Sequence, residues 1–282
     1  MAVDFSVYLS ETSEKVDAEL ERRLFSTEIP KDLERAMAHL VFPGGKRLRP
    51  VLLIAACEAA GGTQGDAIRA AAAVEFLHTY SLVHDDLPCM DDDSVRRGRP
   101  TVHIKFGEAL AVLAGDALQA LAFETIGGAT ESWAQGAVSD LALAGGGRNL
   151  VGGQADDLAM GDSDAASAGL AGRIQSVHGR KTAALFGASA SIGARCALAS
   201  TQDRTRLERF GRHLGLAFQI GDDCLDRDKK ESCTILRVRD ERSARQLAGE
   251  HLSSAAAEIT GFGSSGEALR GFIRFVAEIS AK

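Results

Sequence analysis

Two clusters of aspartates stand far apart in this chain of 282 residues, one at residues 85–93 and the other at residues 222–226. The first reads Asp-Asp-Leu-Pro-Cys-Met-Asp-Asp-Asp and the second reads Asp-Asp-Cys-Leu-Asp. Carboxylates this close repel one another unless a cation neutralises them, and ligand sets made only of oxygen favour Mg²⁺ or Ca²⁺ over softer metals. The two clusters therefore predict the binding of a hard divalent cation.

The second cluster has the simpler geometry. Asp222 and Asp226 are four residues apart on a predicted helix, so both carboxylates project from one face, about 6 Å apart along the axis. Asp223 points about 100° away, yet it can still reach a water molecule on the same metal. Two aligned carboxylates leave several positions of a magnesium ion for water and phosphate oxygens.

The first cluster follows a helix that contains a proline. Asp85 and Asp92 are seven residues apart, which is two helical turns, and they share a face. Asp91 joins that face if Pro88 loosens the turn, because an interior proline removes one backbone hydrogen bond. A solvated acidic helix end is the alternative for this cluster taken alone. The second cluster and the nearby basic residues favour a metal site.

Basic stretches flank the first cluster, at residues 44–50 and 96–99. Lys46 and Arg49 lie between a Gly-Gly turn and a proline, which places both near one helix N-terminus, a natural site for an anion. Metal ligands and arginines together imply a polyanionic ligand, and a diphosphate fits best. The pattern predicts a metal-dependent enzyme acting on diphosphates.

Composition excludes several other classes of protein. The net charge is −7, whereas a nucleic-acid binder is normally basic over its binding face. No unbroken apolar run approaches the roughly 20 residues of a membrane span, and the first residues lack a signal-peptide core, so we expect no stable membrane insertion. Five cysteines form no CxxC pair, which indicates reduced thiols and a cytoplasmic location. We interpret Cys89 and Cys224 as small apolar fillers.

The periodicity of the chain is helical throughout. Strand signals are nearly absent, no Asn-Gly hairpin turn occurs, and no linker or repeat marks a boundary. We therefore predict an all-α fold in one domain over residues 1–282. The residues 183–199 are apolar nearly all round, as a buried helix is. Helices are predicted at about 4–25, 32–41, 47–60, 66–86, 105–127, 131–159, 167–179, 182–199, 203–227, 240–260 and 265–280.

Longer motifs resemble those of one family, the trans-isoprenyl diphosphate synthases, also called polyprenyl synthetases. They occur in the family's order and cover roughly residues 40 to 230. The stretches concerned are Gly-Gly-Lys-Arg-Leu-Arg-Pro at 44–50, His-Thr-Tyr-Ser-Leu-Val-His-Asp-Asp-Leu-Pro at 78–88, Arg-Arg-Gly at 96–98, Leu-Ala-Gly-Asp-Ala-Leu at 113–118, Gly-Gly-Gln at 152–154, Lys-Thr at 181–182 and Phe-Gln-Ile-Gly-Asp-Asp-Cys-Leu-Asp at 218–226.

The resemblance implies an isoprenoid-synthase-type helical bundle around a deep central cavity, in a homodimer, with isopentenyl diphosphate and an allylic diphosphate as substrates. Three Mg²⁺ ions would be held by carboxylates of both clusters, and the reaction would depend on Asp85, Asp91, Arg96, Lys181 and Asp222. The metal ligands would be Asp85, Asp86, Asp91, Asp222 and Asp226. The allylic-side ligands would be Arg96, Lys181, Thr182 and Gln219, and the isopentenyl diphosphate ligands would be Lys46, Arg49, His78 and Arg97.

The implied reaction agrees with the residues. A diphosphate leaves only if its growing charge is neutralised, and metal ions with guanidinium groups supply this electrostatically. No protein nucleophile is needed, and no convincing Ser-His-Asp or Cys-His arrangement occurs. Two alternatives stay open, a class I terpene cyclase and a non-catalytic regulatory subunit of a prenyl synthase. Gln154 and Asp157, three residues apart, either face the cavity or form a structural polar pair.

Product length is predicted from Tyr80 and Ser81, five and four residues before Asp85. On a helix Tyr80 lies about 7 Å below the metal site, where a growing tail would meet it. In the family an aromatic residue at this place accompanies short products. We therefore expect (2E,6E)-farnesyl diphosphate, with geranylgeranyl diphosphate as the alternative.

One departure from the family pattern follows Asp226. The family's loop usually carries a Gly-Lys pair whose lysine binds the allylic diphosphate, and this chain lacks that pair. Lys229 or Lys230 is the substitute that the sequence offers. Loss of one cation from a leaving-group site costs a few kcal/mol where nothing replaces it.

Overall fold

A computed structural model describes residues 4–25, 28–160, 169–226 and 233–281 of the chain. These residues are helical almost throughout, which confirms the all-α prediction. Thirteen α-helices are described: α1 Phe5–Leu24, α2 Lys31–Val41, α3 Leu48–Ala59, α4 Gln64–Asp85, α5 Val102–Phe106, α6 Glu108–Gly127, α7 Ala134–Gly145, α8 Leu150–Leu158, α9 Leu170–Val177, α10 Ala184–Cys196, α11 Thr201–Leu225, α12 Glu241–Glu258 and α13 Glu267–Ala281. Short 3₁₀ helices lie at Ile235–Arg237 and Thr260–Gly266.

Helices α3 and α10 form the middle of the molecule. Both contribute side chains to two apolar clusters, one built mainly with α1, α2, α4, α6 and α7, and the other with α9, α11, α12 and α13. Residues 184–194 of α10 are buried on every side, as predicted for this segment. A helix packed on both faces has no polar face, which is why its sequence is apolar all round.

The contact between these two helices depends on a glycine. A methyl group on Gly193 would fall on the backbone carbonyl of Leu53 in α3. Such small residues let two helix backbones approach closely, so the many Ala, Ser and Gly residues of α10 set the spacing of the central layer.

Helix boundaries differ from the prediction in three places. The helix predicted at 105–127 is divided into α5 and α6 at Gly107, which has a positive φ (88°). The single helix predicted at 131–159 is divided into α7 and α8, because Gly146 takes an extended backbone conformation (ψ −171°) within a run of three glycines. The helices predicted at 167–179 and 182–199 are instead joined by a π-helical segment, His178–Ala183. A π-turn is wider than an α-turn and frequently marks a functional site.

The structure contains a two-stranded hairpin that the sequence analysis did not predict. Strand β1, Val95–Arg96, pairs antiparallel with β2, Arg99–Pro100. The two residues between them, Arg97 and Gly98, both have positive φ (54° and 72°). Two-residue turns with positive φ at both positions match the twist of a hairpin, and Asn-Gly is their usual signal. Here arginine stands in the first position, so the signal was absent.

Helix α6 is long and apolar enough to cross a membrane by length and composition alone, although 44% of its apolar window is buried inside the protein. Glu108, Asp116 and Glu124 interrupt its apolar residues, which is why no unbroken run predicted a span there. Buried helices of proteins that never meet a membrane have the same composition.

All five cysteines are free thiols. Cys224 is buried, as predicted for an apolar filler, and burial raises the pKa of its thiol. Cys89 is exposed, so the filler interpretation is wrong there. It lies in the turn after α4, where Pro88 has ended the helix and carried the chain to the surface.

The spacing of the central layer can be tested at Gly193. We expect Gly193→Ala to lower the free energy of unfolding by about 1–3 kcal/mol, because α3 and α10 must separate to accommodate the methyl group. Urea unfolding followed by circular dichroism measures this change.

Gly249→Ala is the matched control, since Gly249 lies within α12 and a methyl group there meets nothing within 4 Å. We expect this variant to gain about 0.5–1 kcal/mol from helix propensity. Equal stabilities for the two variants would contradict the close packing of α3 against α10.

Candidate active site

A cavity of about 1010 Å³ opens between the two apolar clusters. The start of α3, helices α4, α8 and α11, the hairpin and the π-helical segment form its walls. Most of the residues singled out from the sequence line it: Lys46, Arg49, His78, Ser81, Asp85, Asp91, Arg96, Arg97, Lys181, Thr182, Gln219, Asp222 and Asp226. Asp86 and Tyr80 are not among its lining residues.

The first carboxylate wall forms where α4 ends. The backbone N–H of Asp91 donates to the carbonyl oxygen of Asp85 (2.9 Å), so the chain turns back after Pro88 and brings both side chains to the cavity. Burial raises the pKa of Asp85 to about 6, and burial also raises the pKa of Asp91. Asp92, which helical spacing placed on this face, has a positive φ (53°) and a side chain 70% exposed.

Asp86 does not fit the role of a metal ligand that the sequence assigned to it. Its side chain is fully buried, and its Oδ1 accepts from Arg96 Nε at 2.5 Å. Adjacent residues on a helix point about 100° apart, so Asp86 turns into the protein where Asp85 faces the cavity. Asp93 also holds Arg96 (2.8 Å). The two carboxylates position a guanidinium that lines the cavity.

The second carboxylate wall is the end of α11. This helix begins at a serine cap, with the N–H of Asp203 donating to Ser200 Oγ (3.1 Å), and Asp226 ends it. Asp222 and Asp226 both line the cavity, as the four-residue spacing predicted. Burial raises the pKa of Asp222 to about 6, against the opposing pull of Lys46.

These walls fit a magnesium ion. Every acidic ligand is a carboxylate, and burial disfavours the charge on Asp85 and Asp222 until a cation compensates it. Among the described residues no group of three His, Cys, Asp or Glu side chains forms a complete metal cage. Mg²⁺ is usually held by one or two carboxylates together with water and substrate phosphates, so an incomplete protein cage is compatible with this ion.

The π-helical segment supplies a cation to the same end of the cavity. Lys181 Nζ lies 2.7 Å from Asp157 Oδ2. Burial opposes the charge of Lys181, yet the carboxylates of Asp85 and Asp157 outweigh it and raise the pKa of the ammonium group. The hydroxyl of Thr182 donates to Gln219 Oε1 at 2.7 Å. This segment therefore faces both carboxylate walls.

A second group of cations, Lys46, Arg49 and Arg97, lines the cavity at the start of α3 and at the hairpin. Arg49 Nη1 is 3.2 Å from His78 Nε2, and its guanidinium stands 4.6 Å from the ring centre of Phe186. Burial lowers the pKa of Arg49 to about 10. Burial and the neighbouring Arg49 hold the pKa of His78 well below its usual range, so His78 is a neutral imidazole. Lys46 and Arg97 line the cavity beside them.

Two charged residues in this region, Arg47 and Glu75, were not singled out by the sequence analysis. Arg47 is only 3% exposed, and its guanidinium contacts Asp17 (2.7 Å), Glu75 (2.5 Å) and the carbonyl of Val41 (2.6 Å). It takes a left-handed backbone conformation (φ 49°), which separates it from Lys46 and Arg49. Glu75 lines the cavity and was detectable as the one acid within the apolar run 70–77 of α4.

Gln154 and Asp157 both line the cavity from α8. A methyl group on Gly153 would clash with the backbone of Lys181, so α8 packs directly against the π-helical segment. Asp157 holds Lys181, whereas the buried amide atoms of Gln154 have no hydrogen-bond partner in the described ranges of the chain. The cavity-facing alternative of the sequence analysis thus fits the structure better than a polar pair.

The residues assigned to product length have separate environments. Ser81 lines the cavity, whereas Tyr80 is 4% exposed. The Tyr80 hydroxyl lies 3.5 Å from the carbonyl of Gly145, and its ring meets that of His84 edge-on at 5.9 Å. Lys229 and Lys230, offered as substitutes for the family's lysine, lie outside the described residues.

Comparisons with known proteins agree with this geometry. The sequence profile described as "Polyprenyl synthetase" matches residues 30–234. The chain is 38% identical over 279 residues to the chloroplastic geranylgeranyl pyrophosphate synthase of Capsicum annuum, covering 93% of this chain and 74% of the relative. It is 46% identical over 229 residues to the chloroplastic heterodimeric geranylgeranyl pyrophosphate synthase large subunit 1 of Arabidopsis thaliana, covering 79% of this chain but 61% of that subunit's length.

Solved structures extend the likeness to the whole fold. The crystal structure of an FPP/GFPP synthase from Zymomonas mobilis superposes with a TM-score of 0.89 at 38% identity, over 98% of this chain and 100% of that one. A geranyltransferase from Legionella pneumophila gives a TM-score of 0.89 at 30% identity, over 99% and 98% of the two chains. From its fold, its cavity and the matched profile, this chain belongs to the polyprenyl synthetase family.

Proposed function

We propose that the protein is a Mg²⁺-dependent trans-prenyltransferase that condenses an allylic diphosphate with isopentenyl diphosphate, joining them 1'-4, head to tail. The observation that carries the proposal is one cavity with two groups of cations: Arg96 and Lys181 beside the first carboxylate wall, and Lys46, Arg49 and Arg97 at the start of α3 and the hairpin. A single diphosphate would need one such group. Two groups fit two diphosphates whose prenyl chains meet between them.

The allylic diphosphate belongs at the carboxylate end. Asp85 and Asp91 on one wall and Asp222 and Asp226 on the other would hold Mg²⁺, which when bound neutralises the departing diphosphate. Lys181 adds a cation close to Asp85 and Asp91 of the first wall, and Asp157 holds it. Arg96 adds a guanidinium whose direction is fixed by Asp86 and Asp93.

Isopentenyl diphosphate belongs at the second group of cations. Arg49, Arg97 and Lys46 line this part of the cavity and would bind its phosphate oxygens. His78 is neutral and its Nε2 faces Arg49, so it orients that guanidinium without adding charge. Glu75 lies 4.0 Å from Arg97 and offsets part of the positive charge beneath the site.

The protein's part in the reaction is to bind, orient and neutralise. The bond between the allylic carbon and the diphosphate oxygen breaks, the double bond of isopentenyl diphosphate attacks that carbon, and one proton is lost. Among the described cavity residues the carboxylates would serve the cations, and His78 contacts Arg49. The departing diphosphate is therefore the base that we propose, as the resemblance implied.

This arrangement also weighs against the two alternative functions. A terpene cyclase has one diphosphate to bind and no use for Lys46, Arg49 and Arg97. A non-catalytic subunit has no use for buried carboxylates, since unpaired buried charge is costly. Both alternatives remain outcomes of the assay below.

We propose farnesyl diphosphate as the product, on the argument that Tyr80 fills the space beside Ser81. Its ring packs on His84 and its hydroxyl reaches the end of α7 at Gly145, so a longer tail must displace it. Geranylgeranyl diphosphate is the second candidate. It is favoured by the small Ser81 on the cavity wall and by the names of the plant relatives.

We also propose that the protein forms a homodimer through the outer face of α6. Val112 and Leu113 on that helix are 41% and 52% exposed, and Ile104 on α5 is 56% exposed. Large apolar side chains grouped on one surface mark contact sites between proteins. A second copy of the chain would cover these side chains around a two-fold axis.

Activity is tested with purified protein, Mg²⁺, isopentenyl diphosphate and dimethylallyl, geranyl or farnesyl diphosphate. We expect elongation, its loss on chelation with EDTA, and a decrease in kcat on the order of 10²- to 10³-fold for Asp85→Asn and Asp222→Asn. Mass spectrometry of the dephosphorylated products measures chain length.

Asp92→Asn is the matched control for these carboxylate variants, because Asp92 is exposed and does not line the cavity. We expect it to retain activity. Absence of elongation with every allylic primer would contradict the proposal. A cyclic hydrocarbon formed from farnesyl diphosphate alone would support the cyclase.

Product length is tested at the two neighbouring residues. We expect Tyr80→Ala to lengthen the product by at least one five-carbon unit, because it empties the space beside the cavity. Ser81→Phe should shorten the product, because it fills the cavity wall. Unchanged product lengths in both variants would show that other residues limit the length of the prenyl chain.

The dimer is tested by Leu113→Glu, which puts a charge on the outer face of α6. We expect a dimeric wild type and a monomeric variant in size-exclusion chromatography with light scattering. Leu198→Glu is the control, since Leu198 is 70% exposed after α10 and should leave the dimer intact. A monomeric wild type would contradict the proposed interface.

A further inference from the structure

Asp223 stands in the middle of the second aspartate cluster but does not face the cavity. It is 2% exposed and is absent from the cavity lining, whereas Asp222 and Asp226 line it. Its two carboxylate oxygens accept from different partners: Oδ1 from Gln219 Nε2 (2.9 Å) and Oδ2 from the backbone N–H of Ile235 (2.7 Å). The carboxylate is thus occupied by two protein donors.

The contact with Gln219 fixes which way its amide points. The NH₂ group must face the carboxylate of Asp223, because the amide oxygen there would meet a like charge. Gln219 Oε1 is then turned to Thr182, whose hydroxyl donates to it at 2.7 Å. The hydroxyl of Thr182 has one proton, which it donates in this bond. Its oxygen can therefore act only as an acceptor toward the cavity that it lines.

His178 makes a second connection around the same carboxylate. It is 4% exposed, and its Nε2 lies 3.3 Å from the carbonyl of Cys233 and 3.5 Å from Asp223 Oδ2. His178 begins the π-helical segment that carries Lys181 and Thr182. Asp223 therefore joins three parts of the cavity wall: α11, the π-helical segment and the residues from Cys233 onward.

We propose that Asp223 is a positioning residue for the allylic diphosphate site and not a metal ligand. It fixes the hydrogen-bond direction of Gln219 and Thr182 and ties the segment 233–237 to α11. This inference rests on the proposed prenyltransferase function for the identity of the substrate. It also replaces the water-mediated metal contact that helical spacing allowed for Asp223.

The proposal makes a distinctive demand on substitutions. In Asp223→Asn the side chain has one acceptor oxygen where the carboxylate has two. The amide NH₂ of the new side chain must then face either the N–H of Ile235 or the NH₂ of Gln219, and two donors cannot form a hydrogen bond. Moving the carboxylate to position 219 restores the pattern. In the double variant Gln219→Glu, Asp223→Asn, the new carboxylate accepts from Thr182 and from the introduced amide NH₂, while the introduced amide oxygen keeps the N–H of Ile235.

The experiment compares Asp223→Asn, Gln219→Glu and the double variant with Asp222→Asn in steady-state assays. We expect Asp223→Asn to lower kcat/KM for the allylic diphosphate on the order of 10- to 100-fold, with the KM for isopentenyl diphosphate unchanged. The half-saturating Mg²⁺ concentration should also stay unchanged. The double variant should recover part of the loss, whereas Asp222→Asn should raise the Mg²⁺ requirement on the order of tenfold.

A binding measurement that does not depend on turnover completes the test. The thermal unfolding of each variant is followed with and without Mg²⁺ and inorganic diphosphate. At saturating Mg²⁺ and inorganic diphosphate we expect Asp223→Asn to keep the stabilisation, because the metal carboxylates are intact, and Asp222→Asn to lose it. If the wild type shows the stabilisation without prenyl transfer, the proposed reaction is wrong while the role of Asp223 is still tested.

Three outcomes would overturn the proposal. The first is a rise in the Mg²⁺ requirement of Asp223→Asn equal to that of Asp222→Asn, as expected of a metal ligand. The second is an equal loss of efficiency toward both substrates, as expected of a purely structural residue. The third is a double variant no better than the poorer single variant. If Asp223→Asn does not fold, Thr182→Val compared with Thr182→Ser tests the same chain of hydrogen bonds from Asp223 through Gln219 to Thr182.

Discussion

The structure depends on one electrostatic constraint, the presence of buried acids and buried bases around a single cavity. Burial raises the pKa values of Asp85 and Asp222 and lowers the pKa of Arg49, so each group is more costly to charge than in water. Within the described residues the protein compensates these charges only in part. Under the proposed function the remaining compensation falls to Mg²⁺ at the carboxylates and to diphosphates at the cations, which would couple the stability of the site to its ligands.

A rigid frame keeps these charges apart. Helices α3 and α10 separate two apolar clusters, and the helices that carry the functional side chains, α4 and α11, pack on opposite sides of them. Side chains on such helices cannot collapse onto one another to neutralise their charge. Several charged groups in the cavity wall or next to it are paired within the protein: Arg47 with Glu75, Arg96 with Asp86, and Asp223 with its two N–H donors.

Much of this was predictable from local patterns. The four-residue spacing of Asp222 and Asp226 predicted a shared face because an α-helix repeats every 3.6 residues. Apolar residues on all sides of α10 predicted its burial. The patterns failed where the backbone departs from regular geometry: the turn after Pro88, the extended Gly146, the positive φ of Arg97 and the π-helical segment at 178–183. Each departure places a wall of the cavity or a residue beside it.

The sequence by itself determined the helical fold, the chemistry of the cavity and the family, because these follow from residue type, order and helical period. Only the tertiary structure decided which of several similar side chains face the cavity. Asp86 stands beside Asp85 in the chain yet turns inward, and Asp223 does the same between two cavity carboxylates. Adjacent residues on one backbone point in different directions, and what each one meets there is set by helices distant in the sequence.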